Sequence, residues 1–225
     1  MDAVLTDVSG IKEFEERGER DAGRLKRFLR ADSIVLDLGC GIGRLEKPLA
    51  PYCKEIHGVD VSDRMIAFAR KRLRGIQNVH FCRNNGHDLL IFHSEMFDFA
   101  FSLLVIQHLD KLDAYLYLEE LYRVLKKGGM AYLEFPNFLT EHFFKDFLRQ
   151  AKSDWRRDVG RTRMYTEPEV EMILGRIGFE ILNTTFGNNQ IIELCRKPWK
   201  HIPAATTAGQ GNRVIGITPD PIGHR

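Results

Sequence analysis

The segment VLDLGCGIGR (residues 35–44) contains the residues of this 225-residue chain that are best suited to binding a ligand. Glycine has no Cβ, so Gly39, Gly41 and Gly43 let the backbone approach a bound molecule closely. A dinucleotide-binding G-x-G-x-x-G loop would need a glycine at position 44, which is Arg44. Because Asp37 precedes the loop, the segment favours a ligand with a positive amino group over a pyrophosphate.

A second acid, Asp60, follows in the segment GVDVS (residues 58–62), seventeen residues beyond Gly43. A carboxylate at the end of the next strand can accept hydrogen bonds from ribose hydroxyls. S-adenosylmethionine (SAM) fits this description, because it is a nucleoside derivative that has an amino group and no phosphate. Two structural alternatives stay open: Asp60 could cap a helix, and Asp37 could brace the loop through backbone N–H groups.

The elements that must position these residues alternate between strand and helix from residue 33 to about residue 135, which predicts a doubly wound α/β sheet. The predicted strands are SIVLDL, KEIHGVD, NVHFC, FDFAFSLLV and MAYLEF. Ser62 is the predicted N-cap of the helix DRMIAFARKRLRG. A second helix is predicted over LDAYLYLEELYRVLKKGG, with lysines in its last turn and a glycine pair after it.

Smaller additions flank this core. We expect one domain over residues 1–196: an N-terminal helical lid (1–31), the cofactor-binding core (32–135), a substrate-side insert (136–165), and a last helix and strands (166–196). Thr166 and Glu169 have the spacing of a capping box, and two final strands form an antiparallel hairpin across GNN. Residues 197–225 read as an irregular tail.

The composition limits the classes of function. The chain is 44% hydrophobic and 28% charged with a net charge of +2, which is typical of a globular protein and disfavours nucleic acid as a partner. The four cysteines form no C-x-x-C pair, so no metal site is predicted. Without an apolar leader or an apolar run long enough to span a membrane, the chain is expected to be cytoplasmic with no membrane partner.

Five successive motifs resemble those of class I SAM-dependent methyltransferases of the small-molecule, methyltransferase-11-like type: VLDLGCGIGR, GVDVSDRMIAFAR, NNGHDL, FDFAFSLLVIQHL and VLKKGG. The resemblance covers residues 34–135. It implies a Rossmann-like, seven-stranded, mostly parallel sheet with an antiparallel last strand. It also implies SAM as cofactor, with S-adenosylhomocysteine (SAH) as product, and a cofactor that lies over the ends of strands one, two and four.

The resemblance carries the cofactor-binding residues onto this chain, with the glycines around the methionine part, Asp60 on the ribose, and Val61 and Met65 on the adenine. Where the family has an aspartate after strand three, this chain has Asn85. The full predicted set is Asp37, Gly39, Cys40, Gly41, Gly43, Arg44, Asp60, Val61, Met65, Asn85, Gly86, Ser102, Leu103 and Gln107. Arg20 and Arg44 are candidates for the carboxylate of the cofactor.

The acceptor is predicted to be a small molecule, acidic or sugar-linked, that is methylated on oxygen or nitrogen. The predicted substrate-binding residues are His108, Phe135, Arg157, Arg161 and Tyr165, and His108 is also the candidate catalytic base. A protein or peptide methyltransferase and a non-catalytic SAM-binding subunit are the alternatives. We expect a monomer or a homodimer.

Overall fold

A computed structural model describes residues 8–152 and 161–199. The strands are β1 Ile34–Leu38, β2 Glu55–Asp60, β3 Val79–Arg83, β4 Phe97–Ser102, β5 Leu125–Pro136, β6 Glu180–Gly187 and β7 Gln190–Arg196. The α-helices are α1 Val8–Leu25, α2 Glu46–Leu49, α3 Asp63–Arg72, α4 Lys111–Val124, α5 Glu141–Lys152 and α6 Glu167–Ile177. A short 3-10 helix, Ile106–His108, follows β4.

The seven strands form one sheet in the order β3-β2-β1-β4-β5-β7-β6. Strand β7 runs antiparallel between β5 and β6, and the other neighbouring pairs are parallel. The predicted seven-stranded sheet with an antiparallel last strand is therefore confirmed. The hairpin turn between β6 and β7 uses Asn188 and Asn189 at φ values of 51° and 63°, a conformation that asparagine tolerates better than most residues.

Helices cover both faces of the sheet. On one face, Leu118 of α4 and Leu174 of α6 join the buried cluster that includes Leu36 of β1. On the other face, Leu25 of α1 packs in a cluster with Phe99 of β4. Each such large apolar side chain stabilises the fold by about 1.5 to 3 kcal/mol when it is fully buried, so the central strands are held from both sides.

The predicted end of the helix over LDAYLYLEELYRVLKKGG, which is α4 in the structure, is wrong. Helix α4 ends at Val124, and the lysine and glycine residues of VLKKGG lie in β5. Leu125 is fully buried, has an extended ψ of 138° and pairs with Phe97 of β4. The Lys126 ammonium contacts the Asp98 carboxylate at 2.8 Å. Pairing with β4 therefore outweighs the local preference for another helical turn.

The start of the predicted tail contacts the sheet. The Lys197 backbone N–H donates to the Gly129 carbonyl at 2.9 Å, and the Trp199 ring lies against Gly128. The remainder of the tail, residues 200–225, lies outside the described residues. In the part of the chain that the structure describes, no helix combines the length and apolar character that crossing a membrane requires.

Candidate functional site

A cavity of about 590 Å³ opens where the carboxyl ends of β1, β2 and β4 meet. Strand β1 lies between β2 and β4, so the chain leaves it in opposite directions on its two sides, and ligands of α/β proteins bind at such a switch point. The lining residues are Phe14, Leu38, Gly39, Cys40, Gly41, Ile42, Arg44, Val59, Asp60, Val61, Ser62, Met65, Asn84, Leu103, Leu104, Val105, His108, Leu109 and Tyr117. We call this space the β1–β2 cavity.

The glycines after β1 serve different purposes. Gly39 has a φ of 85°, and a Cβ there would lie 2.2 Å from Cγ2 of Val105. Gly41 has a φ of 55° and faces open space, so a ligand can approach the loop closely at this position. Gly43 packs instead against Leu73 and Phe81. The loop is therefore shaped by its neighbours at both ends and open to the cavity at its middle.

Asp60 holds the loop and the adjacent helix together at the cavity wall. Its carboxylate accepts a hydrogen bond from the Gly41 backbone N–H at 3.0 Å and another from the Ser62 backbone N–H at 2.9 Å. Ser62 in turn caps α3, since its hydroxyl accepts from the Met65 N–H at 3.3 Å. Asp60 thus braces the glycine loop and lines the cavity, whereas the N-cap of α3 is Ser62, so the helix-cap alternative for Asp60 is wrong.

At the end of β3, Asn84 and not Asn85 reaches the cavity. Asn84 is buried, and its amide nitrogen donates to the Tyr117 hydroxyl at 2.7 Å. Its Oδ1 has no hydrogen-bond partner among the described residues. The Asn85 side chain instead turns to Asp88 and to the backbone of the following turn. A buried acceptor without a partner is costly, and an N–H donor placed in the cavity would remove this cost at Asn84.

Two buried carboxyl groups lie beneath the loop. Burial raises the pKa of Asp37 well above its usual range, and the nearby Glu46 carboxyl adds to that shift. Burial likewise raises the pKa of Glu46, whose Oε1 occupies the space where Gly58 has no Cβ. The raised pKa values favour neutral carboxyl groups, which avoids two like charges facing each other in the interior. Burial also raises the pKa of the Cys40 thiol, which therefore stays protonated and weakly nucleophilic.

The structure brings many of the sequence-predicted cofactor residues together at this cavity: Gly39, Cys40, Gly41, Arg44, Asp60, Val61, Met65 and Leu103, with His108 beside them. Six others do not line it: Asp37, Gly43, Asn85, Gly86, Ser102 and Gln107. The Ser102 hydroxyl is buried and donates to the Leu38 carbonyl at 3.2 Å, so it fixes the ends of β1 and β4 to each other. Gln107 lies in a neighbouring cavity.

That neighbouring space, of about 740 Å³, shares Leu104 with the β1–β2 cavity. It lies among α1, the end of β5, α5 and the turn between β6 and β7, and we call it the α1–α5 cavity. Arg24 of α1 donates to Glu134 of β5 at 2.8 Å and to Asp21 at 2.8 Å. Arg44 from the glycine loop also donates to Asp21. This chain of charges ties α1 to both the sheet and the loop.

His108, the predicted base, lies on the 3-10 helix after β4, and its side chain is exposed at the edge of the cavity. Burial lowers its pKa, which favours the neutral imidazole that can accept a proton. Its Nε2 lies 3.1 Å from the Gln107 amide nitrogen, so the two side chains form a link between the cavities. Glu134 is buried in the α1–α5 cavity, and burial raises its pKa despite the Arg24 guanidinium.

The remaining predicted substrate residues do not line either of these two cavities among the described residues. Phe135 is fully buried with its ring edge against Tyr165, so it belongs to the core. Tyr165 and Arg161 line a third cavity of about 540 Å³ beside α5 and α6. Arg157 lies outside the described residues. The described members of the predicted substrate set are thus divided: His108 lines the β1–β2 cavity, Phe135 belongs to the core, and Arg161 and Tyr165 line a separate cavity.

Several residues that line these two neighbouring cavities were not predicted from the sequence. Phe14 contributes from α1, Tyr117 from α4, and Leu104 and Val105 from the turn after β4. Their local patterns are those of ordinary helix and strand residues. Only Asn84 had a usable signal, because it lies directly after β3 and next to the predicted Asn85.

Away from these cavities, Glu55, His57 and His80 lie together on β2 and β3, with one potential metal-ligand atom from each inside a 4.8 Å span. The cysteine and histidine spacings gave no sign of this cluster, since it depends on the register that pairs His57 with His80. The absence of a metal site stays a prediction from the sequence.

Comparison with known proteins agrees with this geometry. Residues 36–133 match the model of a family described as a methyltransferase domain. A demethylmenaquinone methyltransferase of Tropheryma whipplei is 30% identical over 122 residues, which are 53% of this chain and 49% of that protein. This chain therefore spans about half the length of that relative.

Solved structures have the same fold. A SAM-dependent methyltransferase from Methanosarcina mazei aligns with a TM-score of 0.65 and 23% identity over 79% of this chain and 98% of that one. Magnesium protoporphyrin IX methyltransferase from Synechocystis PCC 6803, solved with bound SAH, aligns with a TM-score of 0.63 and 20% identity over 85% and 89% of the two chains. Residues 36–133 are therefore similar to a methyltransferase domain, and the described chain has the fold of these methyltransferase structures.

Proposed function

We propose that this protein transfers the methyl group of SAM to an oxygen or nitrogen atom of a small-molecule acceptor. The observation that supports this most directly is the pair of neighbouring cavities, whose walls share Leu104. The β1–β2 cavity has the glycine loop and Asp60 of a nucleoside site, and the α1–α5 cavity meets it at Leu104. Two adjoining spaces, one for each reactant, are what a bisubstrate reaction requires.

The residues of the β1–β2 cavity fit SAM. Asp60 offers carboxylate oxygens for ribose hydroxyls, and Val61 and Met65 offer apolar walls for adenine. The buried Oδ1 of Asn84 can accept a hydrogen bond from an amino group. Gly41 leaves room at the loop for the amino-acid part, and Arg44 supplies a cation for its carboxylate.

When bound, SAM supplies a methyl group on a sulfonium, which is activated for in-line displacement. The protein therefore has to align the acceptor atom with that methyl group, and alignment can lower the barrier by roughly 7 to 11 kcal/mol. Leu104 and His108 border the place where the acceptor atom would lie. A neutral His108 imidazole can take the proton from a hydroxyl acceptor, whereas an amine can lose its proton to water.

Calorimetric titration with SAH tests the cofactor site. We expect micromolar binding by the unaltered protein, no binding of NAD, and an affinity at least tenfold lower for Asp60→Ala. The matched control is Asp63→Ala, because Asp63 is an acid three residues further on whose side chain is 76% exposed and pairs with Arg83 outside the cavity.

Circular dichroism would establish that each variant is folded. Equal loss of SAH affinity in the two variants, or no SAH binding by the folded unaltered protein, would contradict the proposed site. SAH binding without methyl transfer to any tested acceptor would favour the alternative of a non-catalytic SAM-binding subunit. Transfer to peptides in preference to small molecules would favour the protein methyltransferase alternative.

A further inference from the structure

The α1–α5 cavity carries more positive charge than its acids neutralise. Its arginines are Arg17, Arg20, Arg24 and Arg149, and its acids are Asp21, Glu134 and Asp146. Each acid is already paired: Glu134 with Arg24, Asp21 with Arg24 and Arg44, and Asp146 with Arg149.

Arg17 and Arg20 are the arginines left over. Within the described part of the chain, neither guanidinium forms a hydrogen bond or an ion pair with a protein group, although both line the cavity. They are three residues apart on α1, so their side chains emerge on the same face of the helix. Two guanidinium groups that lie side by side can bind one planar or tetrahedral oxyanion through parallel N–H donors.

The helix that carries this pair is fixed in place. The contacts of Arg24 with Glu134 and of Arg44 with Asp21 join α1 to β5 and to the glycine loop. A fixed helix holds Arg17 and Arg20 at a defined position relative to Leu104, where the two cavities meet. An acceptor anchored by its anionic group at α1 would then extend its other end toward the cofactor.

We infer that the acceptor carries a carboxylate or a phosphate group and that Arg17 and Arg20 bind this group. The inference rests on the proposed function, and it adds the chemical class of the acceptor to it. Carboxylate and phosphate present the same oxyanion chemistry to arginine, so probes of both kinds are needed.

The test uses protein saturated with SAH and three probes: benzoate, its neutral isostere benzamide, and phenyl phosphate. We expect the two anions to bind and benzamide to bind at least tenfold more weakly. The double variant R17Q/R20Q should bind both anions at least tenfold more weakly than the unaltered protein, with benzamide unaffected. Whichever anion binds more tightly identifies the preferred acid group.

The control is Lys12→Gln, which removes one positive charge from the same helix at a side chain that is 80% exposed and outside the cavity. Anion binding should be unchanged in this variant. Equal weakening in K12Q, equal affinity for benzoate and benzamide, or failure of the anions to bind SAH-loaded protein at millimolar concentration would each overturn the inference.

A second titration excludes the cofactor as the source of the anion. SAH has a carboxylate, whereas 5′-methylthioadenosine lacks the amino-acid part. If R17Q/R20Q lost affinity for SAH but not for 5′-methylthioadenosine, the pair would bind the cofactor and the inference would be wrong. SAH affinity that depends on Asp60 but not on the arginine pair separates failure of this inference from failure of the proposed function.

Discussion

At the residue scale, the loop glycines differ in what a side chain would meet. Gly39 and Gly41 both have positive φ, but only Gly39 faces a neighbour at short distance, the Val105 side chain. The sequence motif treats the two positions alike. The Val105 side chain, in the turn after β4, leaves no room for a Cβ at position 39. A Cβ at position 41 would contact no protein atom and would instead take up space in the cavity.

We therefore expect Gly39→Ala to lower the free energy of unfolding by about 2 to 4 kcal/mol, because positive φ costs alanine roughly 1 to 2 kcal/mol and the clash with Val105 adds to it. Gly41→Ala should cost about 1 to 2 kcal/mol but weaken SAH binding more strongly, since its methyl group would project into the cavity. Urea unfolding and calorimetry measure the two effects. Restoration of part of the stability in G39A/V105A would verify the clash, and equal stability of the two single variants would contradict this account.

At the element scale, both ends of helix α6 are set by local sequence signals. The predicted capping box is present: the Thr166 hydroxyl and the Glu169 backbone, and the Glu169 carboxylate and the Thr166 backbone, form reciprocal hydrogen bonds. Gly178 ends the helix at a φ of 110°. The fourth helix shows the opposite case, because the lysines of VLKKGG favour one more turn and the pairing of Leu125 with β4 prevents it.

Thr166→Ala should lower the free energy of unfolding by about 1 kcal/mol through loss of the cap. Thr166→Ser keeps the hydroxyl and should change stability by much less. Denaturant unfolding measures both variants, and calorimetry should find their SAH affinity unchanged, because Thr166 lies outside the β1–β2 cavity. A cap role would be untenable if the serine and alanine variants were equally destabilised.

At the scale of the whole molecule, buried carboxyl groups make stability depend on pH. Glu193 of β7 is fully buried, accepts a hydrogen bond from the Thr184 hydroxyl at 2.9 Å, and has its pKa raised to about 7 by burial. The folded state therefore holds a proton that the unfolded state, with a pKa near 4.5, releases. The stabilising contribution of the neutral carboxyl is complete below about pH 4.5 and is lost as the pH rises to about 7.

Glu193→Gln removes this titration. Relative to the unaltered protein, the variant should gain on the order of 2 to 3 kcal/mol in unfolding free energy between pH 4.5 and pH 8. Urea unfolding of both proteins at a series of pH values measures this difference in unfolding free energy. Other titrating groups, such as His57, whose pKa is lowered by burial, contribute equally in both proteins and cancel. Glu141→Gln, at a side chain that is 75% exposed, should show no such gain. A flat difference for E193Q would mean that Glu193 has the same pKa in the folded and the unfolded protein, which would contradict this account.

The order of elements, the seven-stranded sheet, the glycine loop and the position of Asp60 follow from the sequence. These features rest on local signals: apolar runs, caps, and glycines at fixed spacing. The resemblance to methyltransferases rests on the same motifs, which follow one another along the chain in the order of the strands that carry them.

Tertiary structure alone decided which side chains face the cavities. It selected Asn84 over Asn85, buried Ser102 against β1, and brought Arg17 and Arg20 of α1 beside a cavity whose other walls come from residues more than eighty positions away. Charge pairing across such distances has no local periodicity, because it depends on how the helix is docked on the sheet. The sequence could predict a cofactor because its motifs are local. The positive charge of Arg17 and Arg20, which we assign to binding the acceptor, became visible only in the folded chain.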